Sequence, residues 1–175
     1  MGVFDRRSSK PPTLTTDELG RSFFSLAAGC AEQALHRFAG TPTLIGLVAP
    51  ELYGRELIVL YAFAADTWLF EVYGDSSRRS EVMQGFWEQY EEDQTKPNGN
   101  RALQLLSVRE AQNHLVQYAL PSRAATDPLL HVGMAFATLC NTKDIRIALP
   151  AGLDFSLMTT AVSDFARKYN IVDAS

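Results

Sequence analysis

The chain has 175 residues, of which 46% are hydrophobic and 21% charged, with a formal net charge of −4 at pH 7. This length and composition suit one globular domain with a core that needs neither a disulfide nor a structural metal ion. Three basic side chains and one acidic side chain fall in residues 1–12, which leaves 13 basic and 19 acidic residues beyond them, a net charge of −6. We therefore expect the body to repel nucleic acid and anionic lipid.

Cysteine use and hydropathy indicate a cytoplasmic location. Cys30 and Cys140 each lie inside a predicted helix without CxxC spacing, which is typical of buried thiols in a reducing compartment. Residues 5–18 are polar, so the start of the chain lacks the apolar segment of a secretory signal. The longest apolar run, Leu57 to Ala65, has nine residues, well short of the roughly 20 that span a bilayer. We expect no membrane partner.

The N-terminal segment, residues 1–14, lacks periodicity and is predicted to be a disordered tail ahead of a single domain over residues 15–175. Thr15 and Glu18 have the spacing of a capping box, in which a hydroxyl and a carboxylate satisfy free amides at a helix start. Apolar residues then recur at three- and four-residue steps up to Gly40, where the pattern stops. We predict the first helix between these signals.

A central helix is predicted from Glu51 to Tyr73, preceded by Pro50 at a position that tolerates proline. The segment is apolar almost all round, with Arg55 and Asp66 on one narrow polar stripe. An ionised Asp66 on so buried a helix needs a partner from another helix or from solvent. A polar stripe that simply reaches the surface is the ordinary explanation, and Asp66, together with Trp68, marks a candidate ligand pocket as the alternative.

A third helix is predicted from Glu81 to about Glu92, with Ser80 as its cap, so that Arg78 and Arg79 stay outside the positive helix end. Its aromatic stripe is flanked by acids that have no basic residue within the helix. Aromatic anchors with a charged rim are typical of protein interfaces, although aromatic stripes at helical spacing usually face a core. The candidate binding residues are Phe86, Trp87, Tyr90, Glu91 and Glu92.

Three further helices are predicted over 107–119, 128–140 and from Asp154 to about Tyr169. Three short apolar runs are ambiguous between strand and other structure, namely 43–48, 101–106 and 145–149. The predicted fold is therefore mostly α, a compact single-domain bundle of about six helices, either alone or with a small two- or three-stranded β element. An α+β fold is the alternative.

The histidines suggest no metal site. His36, His114 and His131 each follow a carboxylate by four residues, a spacing that could serve a shared metal or an ordinary ion pair. The chain lacks the Glu-x-x-His spacing of helical di-metal sites, and it has no G-x-S-x-G or Gly-rich phosphate loop. We expect neither metal nor cofactor, and no catalytic residue is identified.

Three functional classes remain open. The first is a non-enzymatic protein interaction module, such as an adaptor, secretion chaperone, regulator or immunity-type protein, whose partner is another protein or a second copy in a homo-oligomer. The second is a helical protein that binds a small ligand near Asp66 and Trp68. The third is a metal-dependent enzyme that uses His114 and His131. The absence of a recognisable catalytic motif favours the first.

Overall fold

The computed structural model of this chain describes residues 11–95, 106–122 and 127–173. Within these ranges the fold is mostly α, as predicted, with seven helices and two short strands. In chain order they are β1 (Thr13–Thr15), α1 (Thr16–Ala39), α2 (Pro42–Ile45), α3 (Pro50–Tyr73), α4 (Ser77–Thr95), α5 (Val108–Ser122), α6 (Pro128–Leu139), α7 (Ile145–Ala166) and β2 (Asn170–Val172).

Local signals in the sequence account for most helix ends. The Thr15 hydroxyl accepts a hydrogen bond from the Glu18 amide, and the Glu18 carboxylate accepts one from the Thr15 amide. The predicted capping box therefore starts α1. The Asp127 carboxylate accepts the Leu130 amide and caps α6. Helix α3 ends at Gly74, whose φ of 63° is readily adopted only by glycine. These ends depend on neighbouring residues alone, which explains why the sequence predicted them.

Helix α3 lies at the centre of the bundle, as predicted, because its side chains are buried around nearly its whole circumference. The longer helices pack around it, and α1, α4, α5, α6 and α7 all contact it. Large aromatic side chains from several helices complete the core, including Phe23 of α1, Phe86 and Tyr90 of α4, and Phe136 of α6. One continuous hydrophobic cluster therefore joins the helices.

Two helix pairs, α1 with α4 and α6 with α7, pack closely enough for glycine to be required at the contact. A Cβ atom on Gly20 of α1 would lie 2.0 Å from the Val82 carbonyl oxygen of α4. A Cβ on Gly133 of α6 would lie 2.0 Å from the Ala148 carbonyl oxygen of α7. Gly152 of α7 in turn faces the Leu129 carbonyl oxygen of α6. The inner face of α7 is thus held against α6 by backbone contact.

The β element is formed by segments that the sequence analysis did not propose. Strand β1 pairs in parallel with β2, so that Leu14 lies opposite Ile171. Thr13 and Leu14, assigned to the disordered tail, therefore belong to this sheet, whereas residues 1–10 lie outside the described residues. Residues 43–48 form the short helix α2 and a turn, and 101–105 lie outside the described residues.

The run 145–149 is helical, since it forms the first turns of α7 instead of a strand. The Asp144 carboxylate accepts a hydrogen bond from the Arg146 amide and caps the helix. The helix therefore begins at Ile145, nine residues before the predicted start at Asp154. Pro150 was compatible with this earlier start because it leaves only the Arg146 carbonyl without its helical donor, and Arg146 is exposed to water.

Helix α4 begins at Ser77 and includes both arginines that were predicted to precede it. The Arg79 guanidinium makes two hydrogen bonds to the Asp66 carboxylate, from Nε at 2.7 Å and from Nη2 at 2.8 Å. Arg78 pairs with Asp173, beside β2. These long-range pairs outweigh the modest repulsion between a cation and the helix start, and Ser80 lies inside the helix.

Candidate functional site

Asp66 and Trp68, the predicted pocket residues, both have internal partners. The bidentate contact with Arg79 supplies the partner that a carboxylate on α3 requires. Arg79 also lies over the Phe70 ring, 5.2 Å from its centroid. The Trp68 ring packs edge-on against Phe23 of α1 and Tyr73 at the end of α3. Asp66 therefore pairs α3 with α4, and neither Asp66 nor Trp68 lines the groove or the cavity described below.

The aromatic residues of α4 divide between the core and the surface. Phe86 and Tyr90 have no exposed surface and pack edge-on against Phe24 of α1. The Tyr90 hydroxyl donates to the Leu106 carbonyl at 2.8 Å. Trp87 is half-buried beside them. Of the three proposed anchors, only Trp87 therefore reaches the surface of this fold.

Two acids of α4 share one basic partner on α1. Arg21 contacts the Glu92 carboxylate at 2.7 Å and the Glu88 carboxylate at 3.0 Å, and it also binds Asp17 on its own helix. Hydrogen bonds to Glu92 and Asp17 raise the pKa of the Arg21 guanidinium further above its ordinary range. The acidity of α4 is thus compensated in part within the fold, which the helix sequence alone did not reveal.

A surface groove lies where α4 meets α5, and two sequence-predicted binding residues line it. Trp87 and Glu91 form part of its wall, and Val108 and Gln112 of α5 face them. Glu92 lies outside this lining, where it pairs with Arg21. The proposed binding role of these α4 residues remains a prediction.

His114 contacts a buried carboxylate on another helix. Its Nδ1 lies 3.0 Å from Oε2 and 3.1 Å from Oε1 of Glu56, which is fully buried on α3. Burial raises the pKa of Glu56, and the hydrogen bond from His114 opposes that rise. His131 is exposed on α6, and no cluster of three potential metal ligands occurs within the described ranges. The structure thus joins His114 to Glu56 and leaves His131 apart.

Helix α7 carries the most extended row of exposed apolar side chains among the described residues. Its members recur every four residues, and their exposed fractions rise along the helix. They are Ile145 at 48%, Leu149 at 53%, Leu153 at 62% and Leu157 at 66%. We call these four residues the α7 stripe. Leu129 of α6, which is 38% exposed, adjoins it because its backbone packs against Gly152.

The opposite face of α7 is buried, so the stripe is a true outer face and not the edge of the core. The inner face contacts α6 and α3 through residues with almost no exposed surface. They are Ile147, Ala148, Ala151, Phe155, Met158 and Val162. Both faces of this helix are thus apolar, although only one has a partner. Large exposed apolar residues elsewhere, such as Ile45 and Val116, lie on separate elements.

A small cavity of about 210 Å³ lies beside the stripe. Leu157 and Met158 of α7 line it with Cys30, Tyr61 and the ion pair of Arg37 with Asp154. Burial raises the pKa of the Cys30 thiol and of the Asp154 carboxyl. The volume is below the roughly 300–1,000 Å³ of ordinary small-ligand pockets. The raised pKa of Cys30 also disfavours the thiolate form that reactive cysteines need.

By length and composition, α7 is the one helix in the described part of the chain that could cross a membrane. Its apolar window has a mean hydropathy of 1.2 and is 39% buried within the fold. A core helix of a folded domain satisfies the same criterion, and the inner face of α7 is such a core surface.

Comparisons with known proteins found no match, whether among protein-family models, curated proteins or solved structures. Function must therefore be inferred from the surface of the molecule. The sequence analysis missed the α7 stripe because it left 145–149 unassigned and began the last helix only at Asp154. The signal was present, since four large aliphatic residues recur at four-residue steps from Ile145.

Proposed function

We propose that this chain is a protein interaction module whose docking surface is the α7 stripe. The observation that carries the proposal is a row of four large aliphatic side chains, each 48–66% exposed, on a helix whose other face is already buried. Contiguous apolar patches on folded domains mark interaction sites, whereas isolated exposed apolar residues are ordinary.

The partner that fits this surface is another polypeptide with an apolar helical face. Side chains at four-residue steps form a ridge, and such a ridge packs into the groove of a second helix. A small ligand is a poorer fit, because the neighbouring cavity is only about 210 Å³. An anionic membrane is also a poorer fit, because the body of the chain carries a net negative charge. A cytoplasmic location agrees with this role.

A photo-crosslinking experiment tests the proposal. Leu153 is replaced by p-benzoylphenylalanine in cells that express the full chain, and Thr138, which is exposed on α6, receives the same substitution as a control. We expect discrete polypeptide adducts from position 153 that are strongly reduced by Leu157→Asp, and no such sensitivity at position 138. Adducts to lipid alone, or polypeptide adducts that persist after Leu157→Asp, would contradict the proposal.

A further inference from the structure

We infer that the occupant of the α7 stripe is a second copy of this chain, which pairs its own α7 antiparallel across a two-fold axis between Leu153 and Leu157. This inference rests on the proposed function, because it names the partner of the same surface. It depends on where two opposite charges lie relative to the stripe. It also depends on how much apolar surface the stripe offers.

The exposed face of α7 ends in an arginine on one side and an aspartate on the other. Arg146 lies seven residues before Leu153, and Asp164 lies seven residues after Leu157. Seven residues fall about 20° short of two helical turns, so each charged residue lies on nearly the same face as its leucine. Both charged side chains are largely exposed, at 57% for Arg146 and 63% for Asp164. They mark two points about 27 Å apart along the face.

This arrangement is complementary to itself when the helix direction is reversed. The spacing from Arg146 through Leu153 and Leu157 to Asp164 is seven, four and seven residues, which reads the same in both directions. In an antiparallel pair centred between the leucines, Leu153 packs against Leu157 of the other copy. The same register places Arg146 opposite Asp164 of the other copy, and the two-fold axis repeats both contacts.

Electrostatics selects the antiparallel orientation over the parallel one. A parallel two-fold pair would place Arg146 beside its own counterpart and Asp164 beside its own, so that like charges meet at both ends. Asp144 binds only the Nε and Nη2 edge of the Arg146 guanidinium. The Nη1 edge therefore remains for a second carboxylate. Asp164 is held loosely, with Arg167 at 3.7 Å.

The antiparallel register also suits the shapes of the side chains beyond the leucine pair. Leu149 lies four residues before Leu153, and the half-buried Ala161 lies four residues after Leu157. The register therefore sets a large side chain of one copy opposite a small one of the other, which is the arrangement that interdigitating helices favour.

The apolar area is sufficient for a weak dimer. The stripe with Leu129 exposes roughly 400–500 Å² per chain, and two copies together supply about 800–1,000 Å², at the lower limit for a specific interface. The flanking pair Arg37 and Asp154 extends the footprint with polar surface. We therefore expect a reversible dimer with a Kd in about the micromolar range.

Charge exchange tests this geometry on the purified full chain by sedimentation velocity at low salt. Arg146→Asp and Asp164→Arg should each weaken dimerisation about tenfold, because each places two like-charged pairs in the dimer. An equal mixture of the two variants should recover the affinity of the unmodified chain. In the mixed dimer, both arginines of one copy face both aspartates of the other. Arg109→Asp, at an exposed position of α5, changes the net charge by the same amount as Arg146→Asp and is the control.

A second variant tests the apolar contact between the two copies. Leu153→Asp should weaken the dimer by more than about 100-fold without moving the unfolding midpoint, because Leu153 is 62% exposed. An unmodified chain that stays monomeric, a dimer that tolerates Leu153→Asp, or a mixture that fails to recover would each overturn the inference. So would cosedimentation with phosphatidylcholine and phosphatidylserine vesicles that depends on Leu153. A monomeric chain that still crosslinks to another polypeptide from position 153 would refute the second copy and leave the proposed function standing.

Discussion

Helices α4 and α7 each carry a row of large apolar side chains, but neighbouring helices cover only the row on α4. Phe86 and Tyr90 of α4 have no exposed surface, whereas Leu153 and Leu157 of α7 are about two-thirds exposed. The covering helix α1 also supplies Arg21 to the acids of α4. The comparison shows that an apolar row on a helix needs a second surface to cover it. That surface can belong to the same chain or to another chain.

Alanine substitution of one side chain from each row should give the largest contrast. We expect Phe86→Ala to lower the free energy of unfolding by about 3–5 kcal/mol, because it leaves a cavity in a packed core. Leu153→Ala should change it by less than about 0.5 kcal/mol, since most of that side chain already contacts water. Urea unfolding of both variants, at concentrations where the chain is monomeric, checks the contrast. Equal losses would show that the α7 stripe is also part of the core.

The second test concerns α5, which covers a carboxylate of α3. His114→Ala should destabilise the fold by about 1–3 kcal/mol at neutral pH, because buried Glu56 loses its imidazole hydrogen-bond donor. His131→Ala, at an exposed histidine of α6, is the matched control and should have little effect. Urea unfolding at neutral pH measures both variants. Equal effects of the two substitutions would contradict a specific role for the contact with Glu56.

The pH dependence of this second test follows from the direction of the pKa shift. Burial raises the pKa of Glu56 in the folded state, so the folded chain binds this proton more tightly than the unfolded chain. The stability that this proton provides at low pH is therefore lost as the pH rises from the ordinary glutamate value through the folded-state value. His114→Ala should extend this loss to higher pH, and Glu56→Gln should remove it. The free energy of unfolding, measured across that pH range, tests this sign. A contribution from Glu56 that increases with pH would contradict it.

The smallest effect should come from the ion pairs between α1 and α4. Arg21→Gln removes the contacts with Glu88 and Glu92 at a partly exposed site, so we expect it to lower the free energy of unfolding by less than about 1 kcal/mol. The loss should shrink as salt is added, because exposed charges are screened. Thermal unfolding at low and high ionic strength measures both quantities. A loss that is independent of salt would mean that the Arg21 stem contributes packing instead of charge.

Features set by nearby residues could be predicted from the sequence alone. The capping box of Thr15 with Glu18, the cap at Asp127 and the apolar circumference of α3 led to a mostly α bundle with the helix from Glu51 to Tyr73 at its centre, and all three features are present. Each depends on contacts within one helix turn or on the period of a single helix. The sequence left 145–149 open, because a short alternating run resembles a strand as much as a helix turn, and the predicted start of the last helix at Asp154 was therefore wrong.

Only the tertiary structure decided which residues meet across the bundle. The pairs Arg79 with Asp66 and His114 with Glu56 join different helices. The pairing of β1 with β2 likewise joins segments that are far apart in the chain. The α7 stripe shares this dependence, because the sequence shows two apolar faces on α7 and cannot say which one α6 and α3 cover. The physical reason is that helix periodicity is a local property, whereas burial depends on elements that are distant in the chain.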